Sequence, residues 1–441
     1  MQTFTSLRKH RNYRLYFLGQ SISQIGTWLQ TAAQSWLVLE LTGSPAAVGV
    51  LSFCFYAPYA VIGLLGGALA DRVPRHRLMM ITQSAMAVCA LALALVVVLH
   101  VDKVWVIDLI AVVRGVVLVF NNPSQQALMV QLVGRSELPN AIALNSSLMN
   151  ATRIIGPAIA GALMAGAGVA ACFALNAVSY VAVIAALGAM READFHAPAG
   201  LRSRTTIGRS IREGLHYARR TKTIWIALTM LAVVSLLGIN FNVLLPVLAR
   251  ETMHAGPQVF GLIASCFGVG AFAGALVSAS RRRASPTLLL AAVAGFGVSQ
   301  LALATQRGLL GVCLALVATG VCYTIYTSST NAMVQLATPA FLQGRVAGLY
   351  SYAFISTGPL GALLAGWLAE RSTDLAFAVG GGAAVVMALF GFALRPWPMP
   401  TGTVRARRRA RVRTAAASGA AGAVRADTAP AAEDAATPPR G

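Results

Sequence analysis

Charge is what this sequence has least of. Of 441 residues only 11% are Asp, Glu, Lys or Arg, less than half of the roughly 25% in an ordinary soluble domain. A water-soluble fold could not cover itself with so few, and 57% of the chain is hydrophobic. Acid is scarcer still, 14 residues against 35 basic ones, and neither a histidine nor a carboxylate pair falls inside the apolar runs. An intramembrane enzyme would need a buried nucleophile with its acid and base, or a metal cluster, so no catalysis is expected. A glycine loop with its lysine, which would cradle a nucleotide phosphate, is also missing. Cys54, Cys89, Cys172, Cys266, Cys313 and Cys322 lie in apolar stretches without metal-ligand spacing. They read as small packing residues, and no metal or other cofactor is expected.

What the chain does have is repeated apolar runs of the length that spans hydrocarbon, about 20 residues. Twelve spans are predicted, at 13–39, 46–70, 78–99, 104–131, 141–167, 170–190, 223–247, 257–280, 287–305, 308–336, 346–369 and 374–394. The fold class is therefore an all-α membrane protein. The first span follows a polar, basic segment without a cleavable-signal pattern, so it is expected to stay in the mature chain. An even number of spans puts both termini on one side. With that side cytoplasmic, 29 of the Lys and Arg residues lie inside, counting Arg14 at the inner edge of the first span, and four lie outside (Lys103, Arg250, Arg307, Arg371); Arg114 and Arg153 fall deep within spans. That asymmetry is the positive-inside pattern. The net charge of +21 then reflects topology, and no nucleic-acid partner is expected.

The segment 191–222 carries eight basic residues and divides six spans from six. The expected organisation is an N-terminal bundle over 1–190, a cytoplasmic linker over 191–222, a C-terminal bundle over 223–395 and a disordered basic tail over 396–441. Within the linker, Ile207, Ile211, Leu215 and Ala218 recur at helical spacing among arginines. That pattern suits a helix lying on an anionic membrane surface, with a plain solvated linker as the alternative. The tail, with Pro396, Pro398 and Pro400 before a run of arginines, keeps no apolar period.

The second six spans restate the first. Pro45, Gly49, Cys54, Gly63 and Gly67 are answered by Pro257, Gly261, Cys266, Gly270 and Gly274. Met129-Val130-Gln131-Leu132 returns as Met333-Val334-Gln335-Leu336, and Gly156-Pro157 as Gly358-Pro359. Repeats in the same order imply two pseudo-symmetric six-helix bundles around a central cavity, an arrangement for which the rocking of one bundle against the other alternates access.

Polar groups within the spans are the candidate functional residues. Arg114 lies near mid-membrane, where a charge costs roughly 2.5–3.5 kcal/mol on insertion scales, so it needs a partner or a wet cavity; Asn121 and Gln125 continue its face. Arg153 is similarly deep, ahead of Gly156, Pro157 and Gly161, and the proline implies a bend. Gln20, Gln24, Thr27, Thr31 and Gln34 share one face of the first span. Tyr323, Tyr326 and Asn331, with Thr324 and Thr327, suggest a weaker polar face in the tenth. These groups are candidate linings of the cavity.

The stretch Gly67-Ala68-Leu69-Ala70-Asp71-Arg72-Val73-Pro74-Arg75-His76-Arg77 resembles the signature loop of the major facilitator superfamily, with Pro74 where that family usually has glycine. The resemblance implies a conformational latch at Gly67, Asp71, Arg72, Arg75 and Arg77. Arg114 resembles the family's helix-four arginine, which implies proton relay. The run from Arg153 to Gly161 resembles the antiporter motif of exporters, its leading glycine not evident. Gly26-Thr27-Trp28, Leu41-Thr42-Gly43-Ser44-Pro45 and Glu213-Gly214-Leu215-His216-Tyr217 resemble bacterial exporters of the enterobactin and macrolide type. That likeness implies proton-driven efflux of an amphipathic small molecule across the inner membrane by a monomer whose partners are its substrate and lipid. Among the few acids, Asp108 is the candidate proton carrier. An importer or uniporter, or a receptor or partner subunit that keeps the fold without transporting, is the alternative.

Overall fold

In the computed structural model the described residues are 4–70, 73–101, 103–196, 207–281, 285–339, 341–395 and 397, without the side chains of 64–70 and 207–211. Every regular element among them is helical, as lipid demands, because a helix satisfies its backbone groups internally. A short α1 (Thr5–Lys9) leads into α2 (Arg11–Thr42), α3 (Pro45–Ala70) and α4 (Arg75–Val98). α2 stops where Gly43 turns left-handed at φ 61° and its N–H bonds Leu39 O, the glycine ending that helices favour.

The longest helical stretch, α5 (Val104–Gly188), contains the predicted spans 104–131, 141–167 and 170–190 without a conventional loop. It is divided by Gly134 (φ 69°, ψ 177°) and Gly168 (φ 81°, ψ 173°), conformations that glycine alone adopts without strain. At each the chain folds back: Leu128 and Leu132 share a core with Ala141 and Leu144, and Cys172 reaches Ala160 O. The loop expected over 132–140 thus shrinks to one glycine, because that residue makes the corner by itself.

α6 (Ile207–Arg220) precedes α7 (Lys222–Gly238), α8 (Phe241–Val247) and a π-helical turn over Leu248–Thr252. Then follow α9 (Pro257–Ser280), α10 (Pro286–Leu303), α11 (Leu309–Leu336), α12 (Gln343–Ser356), α13 (Gly358–Arg371) and α14 (Thr373–Ala393). The expected spans 223–247 and 346–369 are therefore each broken mid-way, at Ile239–Asn240 and at Thr357. Nine helical stretches among the described residues are long and apolar enough to cross a membrane. α2 is as long, 32 residues, but richer in polar side chains.

The repeat is visible in the packing. Gly115 of α5 meets Phe55 O of α3, and Gly320 of α11 meets Phe267 O of α9, so that a Cβ at either would collide with backbone. The two halves join by a second matched pair at the end of the bundle away from the N terminus, the far end. There Gly161 packs on Gly261, and Gly49 on Gly366, backbone against backbone. Small residues let helices approach this closely. Trp36 stacks on Phe260 beside the first contact at 5.8 Å, and Glu370 accepts from Ser44 Oγ and Ala46 N, each at 2.9 Å, beside the second.

α6 docks one side on protein. Its buried side is Gly214 and Ala218, packed with Tyr217 against Leu349, Leu342 and Val346 of the C-terminal half, and Glu213 pairs with Arg345. Leu215 stays exposed. The amphipathic pattern there partly reflects docking onto protein, which apolar periodicity alone does not distinguish from docking onto lipid.

Near the N terminus, residues 191–196 strap the first half together. Asn12 exchanges bonds with Arg191 backbone at 2.8 and 3.1 Å, and His196 N donates to Gln131 O at 2.8 Å. The His196 ring meets His10 edge-on at 5.5 Å, and His10 Nε2 is buried without a hydrogen-bond partner. Burial, reinforced by His196 and Lys9 and opposed by Glu137, holds the His10 pKa below its usual value.

Two outcomes follow. A folded-state pKa below the unfolded one means that stability is full above the unfolded value and is lost as pH falls through the folded one. Thermal unfolding should accordingly fall below about pH 6.5, and His10→Phe should flatten that dependence; an unchanged slope would exclude His10 as its source. At the far end, Gly161→Val should force the halves apart. Spin labels at positions 44 and 370 would report a longer distance by pulsed electron resonance, and an unchanged distance would contradict the closure described.

Candidate functional site

Arg114 is 4% exposed in the middle of α5's first segment. Its Nη1 donates to Gln34 Oε1 at 2.6 Å, and its guanidinium lies 5.1 Å from the centre of the Phe55 ring. Gln30, one turn before Gln34 on α2, completes the shell: with its oxygen turned to the arginine it accepts from Nε at 3.1 Å and Nη1 at 3.2 Å. In that orientation the Gln30 nitrogen faces the side-chain amide of Asn176. A buried cation is thus held by amide oxygens and a ring face, and makes no ion pair among the described residues. Amide dipoles recover part of the hydration lost on burial, and their geometry fixes where the guanidinium points. A small void of about 30 Å³ adjoins it, bordered also by Ser35, Ser52 and Tyr56.

Next to this cluster lies the central cavity, about 300 Å³, between the two halves. The N-terminal half contributes Trp28, Thr31, Ser35, Tyr56, Arg153 and Pro157 to its wall. The C-terminal half answers with Asn240, Phe241, Asn242, Phe260, Phe267 and Tyr323. Asn242 Nδ2 donates to Tyr56 OH across the gap at 3.3 Å. Arg153 lies over the Trp28 ring at 6.0 Å.

The wall on the C-terminal side exists because α7 breaks. At Ile239 (ψ 48°) and Asn240 (ψ 40°) the backbone leaves the helix, and carbonyls that would have accepted helical bonds need other donors. Asn240 Nδ2 caps Leu236 O at 2.9 Å, and the fully buried Gln300 reaches across from α10 to Gly238 O at 2.8 Å. The break turns Phe241 and Asn242 towards the cavity. A second recess of about 490 Å³ opens on the near side, lined by Thr327, Asn331, Gln335 and Tyr350. The cavity therefore lies behind a far end closed by glycine contacts.

The sequence candidates separate on this map. Thr31, Arg153, Pro157 and Tyr323 reach the central cavity, Gln34 and Arg114 the void beside it, and Asn331 the near recess. Other candidates lie elsewhere. Asn121 accepts from Thr82 and Gln83 of α4, so it ties the first bundle together and does not line the path. Gln20 donates to Tyr16 OH, a hydroxyl that Gln125 also bonds. Thr27 bonds Ser23 O and Tyr180, and Tyr326 is fully buried. Gln24 is half-buried and outside the described lining. Gly156 packs under Trp28, and Gly161 belongs to the far-end contact. Asp108 sits in the second turn of α5, its Oδ1 buried without a partner. Arg75 opens α4 with Arg77 behind it; the surroundings of Gly67, and Asp71 and Arg72 altogether, lie outside the described residues.

Among the residues that sequence reasoning missed are Tyr56, Asn240 and Asn242, which line the cavity, and Gln30, which is buried against Arg114. Gln30 precedes Gln34 by four residues, and two asparagines flank Phe241 in an otherwise apolar run, so both signals were present. No group of three metal-ligating side chains occurs among the described residues.

Residues 1–414 match the family model described as transmembrane secretion effector. The chain belongs to this major facilitator family. An uncharacterised MFS-type transporter of Bacillus subtilis (strain 168) is 25% identical over 87% of this chain and 93% of its own. The multidrug efflux pump Tap of Mycolicibacterium fortuitum is 27% identical over 79% and 86%, and the enterobactin exporter EntS of Shigella flexneri 27% over 86% and 90%. Among solved structures, the nucleoside transporter NupG superposes with a TM-score of 0.69 at 14% identity, covering 89% of this chain and 99% of its own. A D-xylose–proton symporter gives 0.65 at 13% identity over 87% and 98%. At such identities the likeness is one of fold. Members of this family are transporters, not enzymes, and bind small molecules.

Removing the amide that anchors Arg114 should expose the strength of the cluster. Gln34→Leu is expected to cost about 1.5–3 kcal/mol, the value of a hydrogen bond to a charged group. Adding Arg114→Met should recover much of the loss, because no buried charge is then left without its acceptor. Thermal unfolding of the four proteins in a double-mutant cycle reads the coupling, and strict additivity would dismiss it.

Proposed function

We propose that this transporter exports an amphipathic small molecule from the cytoplasm by alternating access, using the proton gradient. The observation that carries the reading is a mid-membrane cavity with aromatic and arginine walls, closed at the far end by paired glycine contacts between two repeat-related halves. In such a fold, rocking at those contacts opens the far end as the near end closes. Efflux is favoured by the resemblance of the Arg153–Gly161 stretch to the exporter motif and by relatives named as efflux pumps. The termini are taken as cytoplasmic on the distribution of basic residues, with the chain in a bacterial inner membrane.

Asp108 is the proposed proton carrier. Its buried, unpartnered oxygen is the kind of group that gains by taking up a proton. The loop from Gly67 to Arg77 is the proposed latch, its arginines bracing the closed near end.

Purified protein in liposomes with an imposed pH gradient, given a panel of dyes, macrolides and siderophores, tests the reading. Gradient-dependent movement of at least one compound is expected, lost with a protonophore and strongly slowed by Asp108→Asn. Movement of none would overturn the export reading; movement indifferent to the protonophore would remove proton coupling.

A further inference from the structure

The central cavity has a charge imbalance that the transport reading does not use. Among the described residues, Arg153 is the one on its wall that carries a formal charge, and the adjoining void adds Arg114. No Asp, Glu or His among the described residues lines either space. Arg153 makes no ion pair among the described residues, and it lies over the Trp28 ring at 6.0 Å. Arg114 has only neutral acceptors, Gln34 and Gln30.

A guanidinium in low dielectric surroundings is stabilised best by a carboxylate or another anion, through charge-assisted hydrogen bonds of fixed geometry. Here the protein provides none, and the remaining wall is aromatic rings interrupted by Asn242, Tyr56 and Thr31. That surface accepts a flat apolar body at one end and an acidic group at the other. A ligand with a positive charge would bring like charge to Arg153 in a space with no acid to balance it.

We propose that the ligand of this cavity is an aromatic or otherwise apolar organic anion, with its acidic group on Arg153 and its apolar body against Trp28, Phe260 and Phe267. The proposal rests on the reading of the cavity as the substrate site. It has a mechanistic consequence: a negatively charged interior favours outward passage of such an anion, so the membrane potential adds to any proton gradient.

Three ligands of one shape separate charge from fit: 2-naphthoate, its primary amide, and 2-naphthylmethylamine. Their two-ring body is well within a cavity of 300 Å³. Titration calorimetry on the detergent-purified chain is expected to rank naphthoate first and the amine last. Arg153→Gln should weaken naphthoate about tenfold or more, as loss of a charge-assisted bond does, and leave the amide unchanged. Arg153→Lys should keep the preference for the anion, and this variant serves if the glutamine one does not fold. Equal or tighter binding of the amine, equal weakening of all three ligands in Arg153→Gln, or no binding of naphthoate would overturn the proposal. Binding with the predicted ranking but without gradient-driven movement of any compound would sink export alone; export with no preference for the anion would sink this inference alone.

Discussion

A guanidinium inside a bundle with almost no acid is the constraint on which the arrangement depends. Arg114 is almost wholly buried and meets no carboxylate among the described residues, so its charge is spread over the amides of Gln34 and Gln30 and the face of Phe55. Those three side chains come from α2 and α3, and the Asn176 amide, late in α5, packs against Gln30. One cation therefore holds three elements of the first half in register. The polar face of α2, which would be expensive in lipid, is what makes the burial tolerable.

The same economy governs the second half, where the difficulty is backbone and not charge. Breaking α7 at Ile239–Asn240 frees carbonyls in a region without water, and Asn240 and Gln300 supply the missing donors. The reward is a wall of Phe241 and Asn242 facing Arg153 and Tyr56. The cavity thus has one half that brings charge and one that brings aromatic surface. Glycines at Gly49, Gly161, Gly261 and Gly366 bring the halves into backbone contact on one side of it. Such contacts are well suited to parting, because little side-chain interdigitation has to be undone.

Much of this was legible in the sequence, for a plain reason. Long apolar runs, paired glycines and the repeated Met-Val-Gln-Leu string are local signals, and lipid permits few structures besides helices. The depth of Arg114 and Arg153 was equally legible, since helical rise converts residue number directly into depth. The corner at Gly134 was not, because a single glycine inside a helical pattern is usually tolerated without a turn. Asn121 was misread for a different reason: its helical face was right, but which helix stood opposite that face is not encoded in spacing, and α4 proved to be the neighbour. α6 shows the same limit, its small residues meeting α12.

Composition and periodicity by themselves determined that the chain is a helical membrane protein in two related halves, with two arginines deep inside. They could do so because hydrophobic length, repeat and residue depth are properties of one segment at a time. Only tertiary structure decided which polar groups share a space: that Gln34 serves Arg114 while Asn121 serves Thr82, that Asn242 crosses to Tyr56, and that Arg153 looks into a cavity without an acid. Those pairings depend on how helices rotate and approach one another, and that is set by packing between segments far apart in the chain.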